Sequence, residues 1–153
     1  MSPMVMHVPI QRYVIGFIFD RTAKKVALIR KERPDFQKGK LNGIGGHIEL
    51  GESPVGAMVR EAKEETGFES TKDDWLLFHY ERNKRDVCLY FYAAETTDLM
   101  NKVRTMTDEE VVIMEYWGPG YSDYFPSMMY NLPWLLPMAL SYIENPYHRS
   151  VEG

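Results

Sequence analysis

The 153-residue chain can bury an ordinary hydrophobic core, because 44% of its residues are hydrophobic. Its formal net charge of −4 argues against a stable nucleic-acid complex, since that affinity comes largely from Lys and Arg side chains on phosphates. The single cysteine, Cys88, excludes an internal disulfide and a multi-cysteine zinc site, and it fits a reducing compartment.

We expect one domain spanning residues 1–153. The N-terminal sequence lacks the basic start and long apolar stretch of a secretory signal, and no apolar run reaches membrane-spanning length. A soluble cytoplasmic protein without membrane contact is therefore expected.

The N-terminal third is predicted to form a β-hairpin followed by a glycine-rich segment. Gln11–Asp20 and Lys25–Lys31 have the β-branched and aromatic content of strands, with a turn-like sequence between them. A polar stretch, Glu32–Lys40, leads into Leu41–Ile48, where three glycines mark sharp turns or close backbone approaches.

A helix is predicted over Pro54–Thr66. Ser53 suits the N-cap, proline suits the first helical position, and Gly67 suits the C-terminal stop. Its apolar residues recur at i, i+3, i+4 and i+7, which indicates one buried stripe; they are Val55, Met58, Val59 and Ala62.

The remaining elements complete an α/β pattern with a mixed sheet. Three further strands are predicted at Trp75–Glu81, Val87–Ala94 and Val111–Trp117. The segment Asn131–Glu144 has helical apolar spacing, and Pro137 is a possible kink within it.

The central helix carries a second face made of three glutamates, Glu61, Glu64 and Glu65. A solvated acidic surface is the ordinary interpretation of such a run. However, these carboxylates lie at the helix C-terminal end, where the helix dipole disfavours anions by about 0.3–1 kcal/mol. A cluster that lowers stability in this way indicates a site for a divalent cation, and hard oxygen ligands without Cys or His favour Mg²⁺ or Mn²⁺ over zinc.

The segment Gly46–Phe68, with the sequence GHIELGESPVGAMVREAKEETGF, resembles the Nudix box. All charged and glycine positions of that pattern match, and Ala62 and Phe68 are the only soft departures, at two aliphatic positions. The resemblance implies a Nudix-type α/β/α sandwich with a mixed β-sheet.

The resemblance also implies residue roles. Glu61, Glu64 and Glu65 correspond to metal-binding carboxylates, with the Gly46 carbonyl as a further ligand, and Glu61 or Glu64 as an aid to water activation. Arg60 corresponds to the arginine that orients the glutamates, and Glu52 to its ion-pair partner.

The family often uses one more acid from a later loop. Asp108, Glu109 and Glu110 are the candidates in this sequence, and Glu110 is the preferred metal ligand among them.

The activity implied is a Mg²⁺-dependent nucleotide pyrophosphatase, with Mn²⁺ as another usable cation. It would cleave a nucleoside triphosphate into the monophosphate and pyrophosphate, and 8-oxo-dGTP and related purine nucleotides are candidate substrates. ADP-ribose or another nucleoside diphosphate derivative is the alternative substrate class. A nucleotide-sensing module without catalysis is a remote alternative, because the box glutamates are all retained.

Four residues are candidate substrate contacts, through a resemblance to the oxidised-purine triphosphatases of the family. Asn42 would read the base or serve as a turn residue, and Phe36 would be a base contact or a core aromatic. Asn131 stands where those relatives carry paired acids, so a particular oxidised base is not implied. Trp134 would stack on a base or anchor its helix in the core, and helical spacing favours the core.

Overall fold

The structure is a computed structural model that describes residues 9–118 and 121–145. The N-terminal stretch 1–8, from which no secretory signal is expected, lies outside the described residues.

Seven strands and two α-helices form the described part of the chain. The strands are β1 (Gln11–Asp20), β2 (Lys25–Arg30), β3 (Leu41–Asn42), β4 (Ile44–His47), β5 (Leu76–Arg82), β6 (Val87–Glu95) and β7 (Val111–Glu115), and the helices are α1 (Pro54–Thr66) and α2 (Leu132–Glu144). Short 3₁₀ turns lie at Asp35–Gln37, Lys72–Asp74, Leu99–Asn101 and Tyr121–Ser127.

The strands form one mixed sheet in the order β3-β2-β1-β6-β5, in which β1 and β6 are parallel and the other pairs are antiparallel. On one edge, β1 pairs with β2 along Ile18–Asp20 and with β4 along Tyr13–Gly16. The glycine-rich segment is therefore inserted beside β1, and β7 pairs with the outer edge of β2.

The two helices cover opposite faces of this sheet. Alternation along β1 directs Val14 and Ile18 into the core under α1, and Phe17 and Phe19 into the core under α2. This arrangement is an α/β/α sandwich with a mixed sheet, so the expected fold class is confirmed.

The local signals for α1 are also confirmed. The Ser53 hydroxyl accepts a hydrogen bond of 3.0 Å from the backbone N–H of Gly56, and Gly67 ends the helix at φ 74° in the left-handed region. The second helix continues through Pro137, so this proline does not divide it. Neither described helix combines the length and apolar character that crossing a membrane requires.

Candidate active site

The glutamate face of α1 lies against the glycine-rich strand β4. The backbone N–H of Gly45 donates a hydrogen bond of 3.2 Å to Oε2 of Glu65. At Gly46, an added Cβ would lie 2.6 Å from Oε1 of Glu61, so any larger residue would displace that carboxylate. The two glycines therefore let the strand backbone approach the carboxylates of the helix closely.

The guanidinium of Arg60 connects α1 to the segment that precedes it. Its Nε and Nη2 atoms donate to the two carboxylate oxygens of Glu52 at 2.7 and 2.9 Å, and Nη2 also donates to the His47 carbonyl at 3.0 Å. The ion pair expected between Arg60 and Glu52 is therefore present in bidentate form.

The same guanidinium also holds two of the predicted metal ligands. Nη1 of Arg60 donates to Glu61 Oε1 at 2.8 Å and to Glu64 Oε2 at 3.1 Å. Within residues 9–118 and 121–145, no three His, Cys, Asp or Glu side chains are already arranged to hold a metal ion.

The site leaves its carboxylates in unequal electrostatic surroundings. The hydrogen bond from Arg60 holds the pKa of Glu52 below its usual value. Burial raises the pKa of Glu61, against the opposing effect of the Arg60 hydrogen bond and charge. The hydrogen bond that Arg60 donates to Glu52 raises the pKa of the guanidinium, so this side chain stays charged.

Among these glutamates, Glu65 has the carboxylate whose negative charge is least balanced by positive charge and hydrogen bonds. Burial, and next the charge of Glu61, raise its pKa to about 8, while the Gly45 hydrogen bond and the charge of Lys31 lower it. Glu109 contributes a further unfavourable negative charge. A partly buried carboxylate with this deficit of positive charge is suited to a site that receives a cation.

The donor set fits a hard divalent cation. Carboxylate oxygens and the backbone carbonyl of Gly46 are the ligand types that Mg²⁺ and Mn²⁺ prefer. The residues that would hold the ion are Gly46, Glu61, Glu64 and Glu65, with Arg60 and Glu52 fixing the helix beside them.

The loop before β7 contributes the buried acid Glu109, which is 5% exposed. Its carboxylate accepts hydrogen bonds from Lys31 Nζ at 3.3 Å and from the Glu32 backbone N–H at 2.7 Å. The preferred candidate, Glu110, is exposed and lies 3.8 Å from Nε of Arg30. Asp108 is also exposed and pairs with Arg33, which lowers its pKa.

The role of Glu110 as a ligand stays a prediction, but Glu109 is the acid that the electrostatics couple to Glu65. A signal for this was available in the sequence. Glu109 has the same strand parity as Val111 and Ile113, which pack toward α1, whereas Glu110 has the parity of the residues that face α2.

Two predicted substrate contacts lie near the start of β3. The Asn42 amide donates to Oε1 of Gln37 at 3.1 Å, and its oxygen accepts from the Gly43 N–H at 2.8 Å. Phe36 is 74% exposed, so it is a surface aromatic and does not belong to the core.

The other two lie at the start of α2. Asn131 precedes the helix, and its Oδ1 atom is buried without a hydrogen-bond partner among the described residues. Trp134 is 42% exposed and packs edge-on against the ring of His79, with 5.6 Å between ring centroids. The helical spacing of Trp134 favoured a place in the core, but this exposure shows that the residue does not anchor the helix there. His79 carries no motif signal in the sequence.

Comparison with known proteins agrees with this fold and site. The family model for the NUDIX domain matches residues 9–119. A curated Escherichia coli protein named 8-oxo-dGTP diphosphatase is 35% identical over 74 residues, covering 46% of this chain and 56% of that protein. A curated Bacillus methanolicus protein named methanol dehydrogenase activator is 26% identical over 89 residues, covering 58% of this chain and 48% of that protein. The chain spans about half the length of these curated relatives.

A solved MutT structure, from work on the proteins of Aliivibrio salmonicida and Vibrio cholerae, shares the fold. It superposes with a TM-score of 0.66 at 22% identity, covering 86% of this chain and 98% of the other. The chain belongs to the Nudix family, since the family model spans most of its length. Membership supports, at the level of the family, the expected use of a divalent cation and of a small nucleotide substrate.

Proposed function

We propose that this protein is a Mg²⁺-dependent Nudix hydrolase that cleaves nucleoside triphosphates to the monophosphate and pyrophosphate. Purine nucleotides, including oxidised ones such as 8-oxo-dGTP, are the proposed substrates. The name of the Escherichia coli relative favours this class over ADP-ribose.

The observation that carries the proposal is the excess of carboxylates around one guanidinium. Glu52, Glu61 and Glu64 all contact Arg60, while Glu65 is partly buried beside them with its pKa raised to about 8. This arrangement is unfavourable for a protein that binds no cation, because like charges in a buried site repel one another. It becomes favourable when a divalent ion is added.

Hydrolysis of a diphosphate bond brings water to a phosphorus atom that is surrounded by negative oxygens, so charge and positioning dominate the barrier. A bound divalent cation would supply charge neutralisation and Lewis acidity at this point. In our proposal, Gly46, Glu61, Glu64 and Glu65 hold the ion, and either Glu61 or Glu64 accepts the proton of the attacking water.

Arg60 has a supporting role in the proposal. Its bidentate contact with Glu52 fixes the guanidinium, which in turn holds one carboxylate oxygen each of Glu61 and Glu64. In the proposal, Glu109 completes the negative site from the loop before β7, and its carboxylate accepts a hydrogen bond from Lys31, which directly follows β2. Asn42, Phe36, Asn131 and Trp134 are the proposed contacts to the nucleoside.

The test is a hydrolysis panel with Mg²⁺ that contains the ordinary triphosphates, 8-oxo-dGTP and ADP-ribose, with products separated by ion exchange. We expect pyrophosphate and a nucleoside monophosphate from one or more triphosphates. If all triphosphates remain intact while ADP-ribose is turned over, the proposed substrate class is wrong and the alternative class is correct.

A matched pair of variants tests the metal assignment in the same assay. Glu64→Gln should lower kcat by about 10²-fold or more, because it removes a charged ligand and a candidate base. Lys63→Gln, at an exposed neighbouring residue, should leave kcat unchanged. Circular dichroism checks that both variants fold, and an unchanged rate in Glu64→Gln would remove the assignment.

A further inference from the structure

A row of paired residues crosses the sheet from the glutamate site to its opposite edge. Gly45 on β4 is paired with Ile15 on β1, Ile15 with Phe91 on β6, and Phe91 with His79 on β5. Gly45 also donates the hydrogen bond to Glu65, so the row begins at the proposed metal site. Three strand spacings of roughly 4.8 Å place His79 about 14 Å from Gly45.

This row lies on the face of the sheet that α2 covers only in part. Phe91 is buried in the core beneath α2, and Ile15 is partly buried against the same core. At the far end, the His79 ring lies 5.4 Å from the Phe91 ring and contacts Trp134 in the first turn of α2. The His79 side chain is 27% exposed, whereas Phe91 is fully buried, so a ligand can reach this part of the row only at the His79 end.

The imidazole of His79 is oriented by a carboxylate. Its Nε2 atom lies 2.9 Å from Oε1 of Glu81, and because a carboxylate only accepts, Nε2 carries the proton. The other ring nitrogen, Nδ1, makes no hydrogen bond to the residues in 9–118 and 121–145. In the neutral ring, Nδ1 is therefore an available acceptor.

A second acceptor that has no partner in the described part of the chain lies about one helical turn before Trp134, the residue that contacts this ring. The buried Oδ1 atom of Asn131 makes no hydrogen bond within the described residues, and Asn131 precedes Trp134 by three positions, about one helical turn. Buried polar atoms are normally satisfied, so this end of the row requires hydrogen-bond donors.

We propose that His79, oriented by Glu81, is a specificity-determining residue whose Nδ1 accepts a hydrogen bond from an amino group on the substrate's nucleobase. The inference rests on the proposed function, because the substrate must reach from the glutamates of α1 to His79 on the face of the sheet that α2 covers. This hydrogen bond selects bases that carry an exocyclic amino group over the same bases without that group.

The experiment compares kcat and KM for two nucleotide pairs that differ only in that group. One pair is dGTP and dITP, and the other is dATP and the triphosphate of purine deoxyriboside. The wild type should prefer at least one amino-bearing partner by about three- to tenfold in kcat/KM, the usual effect of one hydrogen bond. His79→Phe, which keeps the aromatic contacts, should abolish that preference by raising KM while leaving kcat nearly unchanged.

Two more variants separate recognition from packing. Tyr80→Phe is the matched control, because Tyr80 is paired with Tyr90 and lies on the opposite face of β5. It should keep the wild-type preference. Glu81→Leu should weaken the preference by releasing the imidazole, and it replaces His79→Phe as the test if that variant fails to fold.

The outcomes distinguish this inference from the proposed function. If the wild type cleaves none of the nucleotides with Mg²⁺, the proposed function fails, and this inference fails with it. If the wild type cleaves them but shows no preference, or if His79→Phe retains the preference, only the role of His79 is overturned.

Discussion

Glu65 shows most directly what the site costs the protein in the absence of a cation. Its carboxylate is partly buried between α1 and β4 and accepts a backbone hydrogen bond from Gly45. Burial and the charge of Glu61 raise its pKa from 4.5 to about 8. In the unfolded chain the same group ionises near its ordinary pKa, so folding is linked to proton uptake.

This linkage predicts that Glu65→Gln flattens the pH dependence of stability in metal-free buffer. A carboxyl whose pKa is raised in the folded state contributes its full share to the free energy of unfolding at pH values below its unfolded pKa. The contribution is lost between pH 4.5 and about 8, at up to roughly 1.4 kcal/mol per pH unit. Denaturant unfolding across that range with EDTA measures the effect. Equal slopes for the wild type and Glu65→Gln would show that Glu65 is not buried as described.

Glu109 and Glu110 provide a comparison of adjacent residues with different exposure. Glu109→Gln should raise the Mg²⁺ concentration for half-maximal activity by about tenfold, since supporting groups of metal sites typically contribute this much. Glu110→Gln should have little effect, because its side chain is exposed and directed toward Arg30. A Mg²⁺ titration of activity measures both effects. A larger effect of Glu110→Gln than of Glu109→Gln would support Glu110 as the loop ligand.

At the scale of elements, α1 could be predicted closely from the sequence, whereas β3 and β4 could not. The helix has local signals, which are Ser53 at its N-cap, Gly67 at its end and a regular apolar stripe. The segment Ile44–His47 has two adjacent glycines and a low strand propensity. Its strand conformation comes from pairing with β1, a contact between distant parts of the chain.

The candidate site also combines residues that have local sequence signals with residues that are brought together only by the fold. The proposed metal ligands of α1 could be named from the sequence because a motif with fixed spacing contains them. Glu109 and His79 depend on which strands become neighbours and which face each side chain occupies. Strand parity could have favoured Glu109 over Glu110, but no local signal connects His79 to Trp134, which is distant in sequence.

Arg60 is the contact through which α1 is attached to the preceding loop. Arg60→Gln should lower the free energy of unfolding by about 1.5–3 kcal/mol, because it removes charge-assisted hydrogen bonds from the partly buried Glu52. It should also lower kcat, since Glu61 and Glu64 lose their orienting partner. Denaturant unfolding and the hydrolysis assay measure the two effects. A kcat equal to that of the wild type would exclude a supporting role in catalysis.

At the scale of the whole molecule, the sheet lies between the proposed metal site and the proposed base contacts. The glutamates of α1 and the start of α2 lie on opposite faces of the sheet. The row of paired residues from Gly45 to His79 runs across the sheet from the strand beside the glutamates to the strand beside Trp134. The chain has a formal net charge of −4 and is proposed to bind a polyanion, so cations must invert the local potential.

The folded molecule should therefore be stabilised by divalent cations. At a Mg²⁺ concentration of 100 times Kd, linkage predicts a gain of about 2.7 kcal/mol in unfolding free energy. The gain should be much smaller in Glu61→Gln, whereas Lys63→Gln should retain it. Thermal or denaturant unfolding with and without Mg²⁺ provides the measurement. An equal gain in all three proteins would show that the ion binds elsewhere.

The central claim is that the carboxylates of α1 and the carbonyl of Gly46 form the cation site at which the diphosphate is cleaved. Anomalous diffraction from crystals grown with Mn²⁺ and a non-hydrolysable nucleoside triphosphate tests this claim most directly. We predict an anomalous peak in contact with Gly46, Glu61, Glu64 or Glu65 and with the phosphates of the nucleotide. Phosphates bound at this site without a Mn²⁺ peak, or a Mn²⁺ peak only at another surface, would contradict the claim.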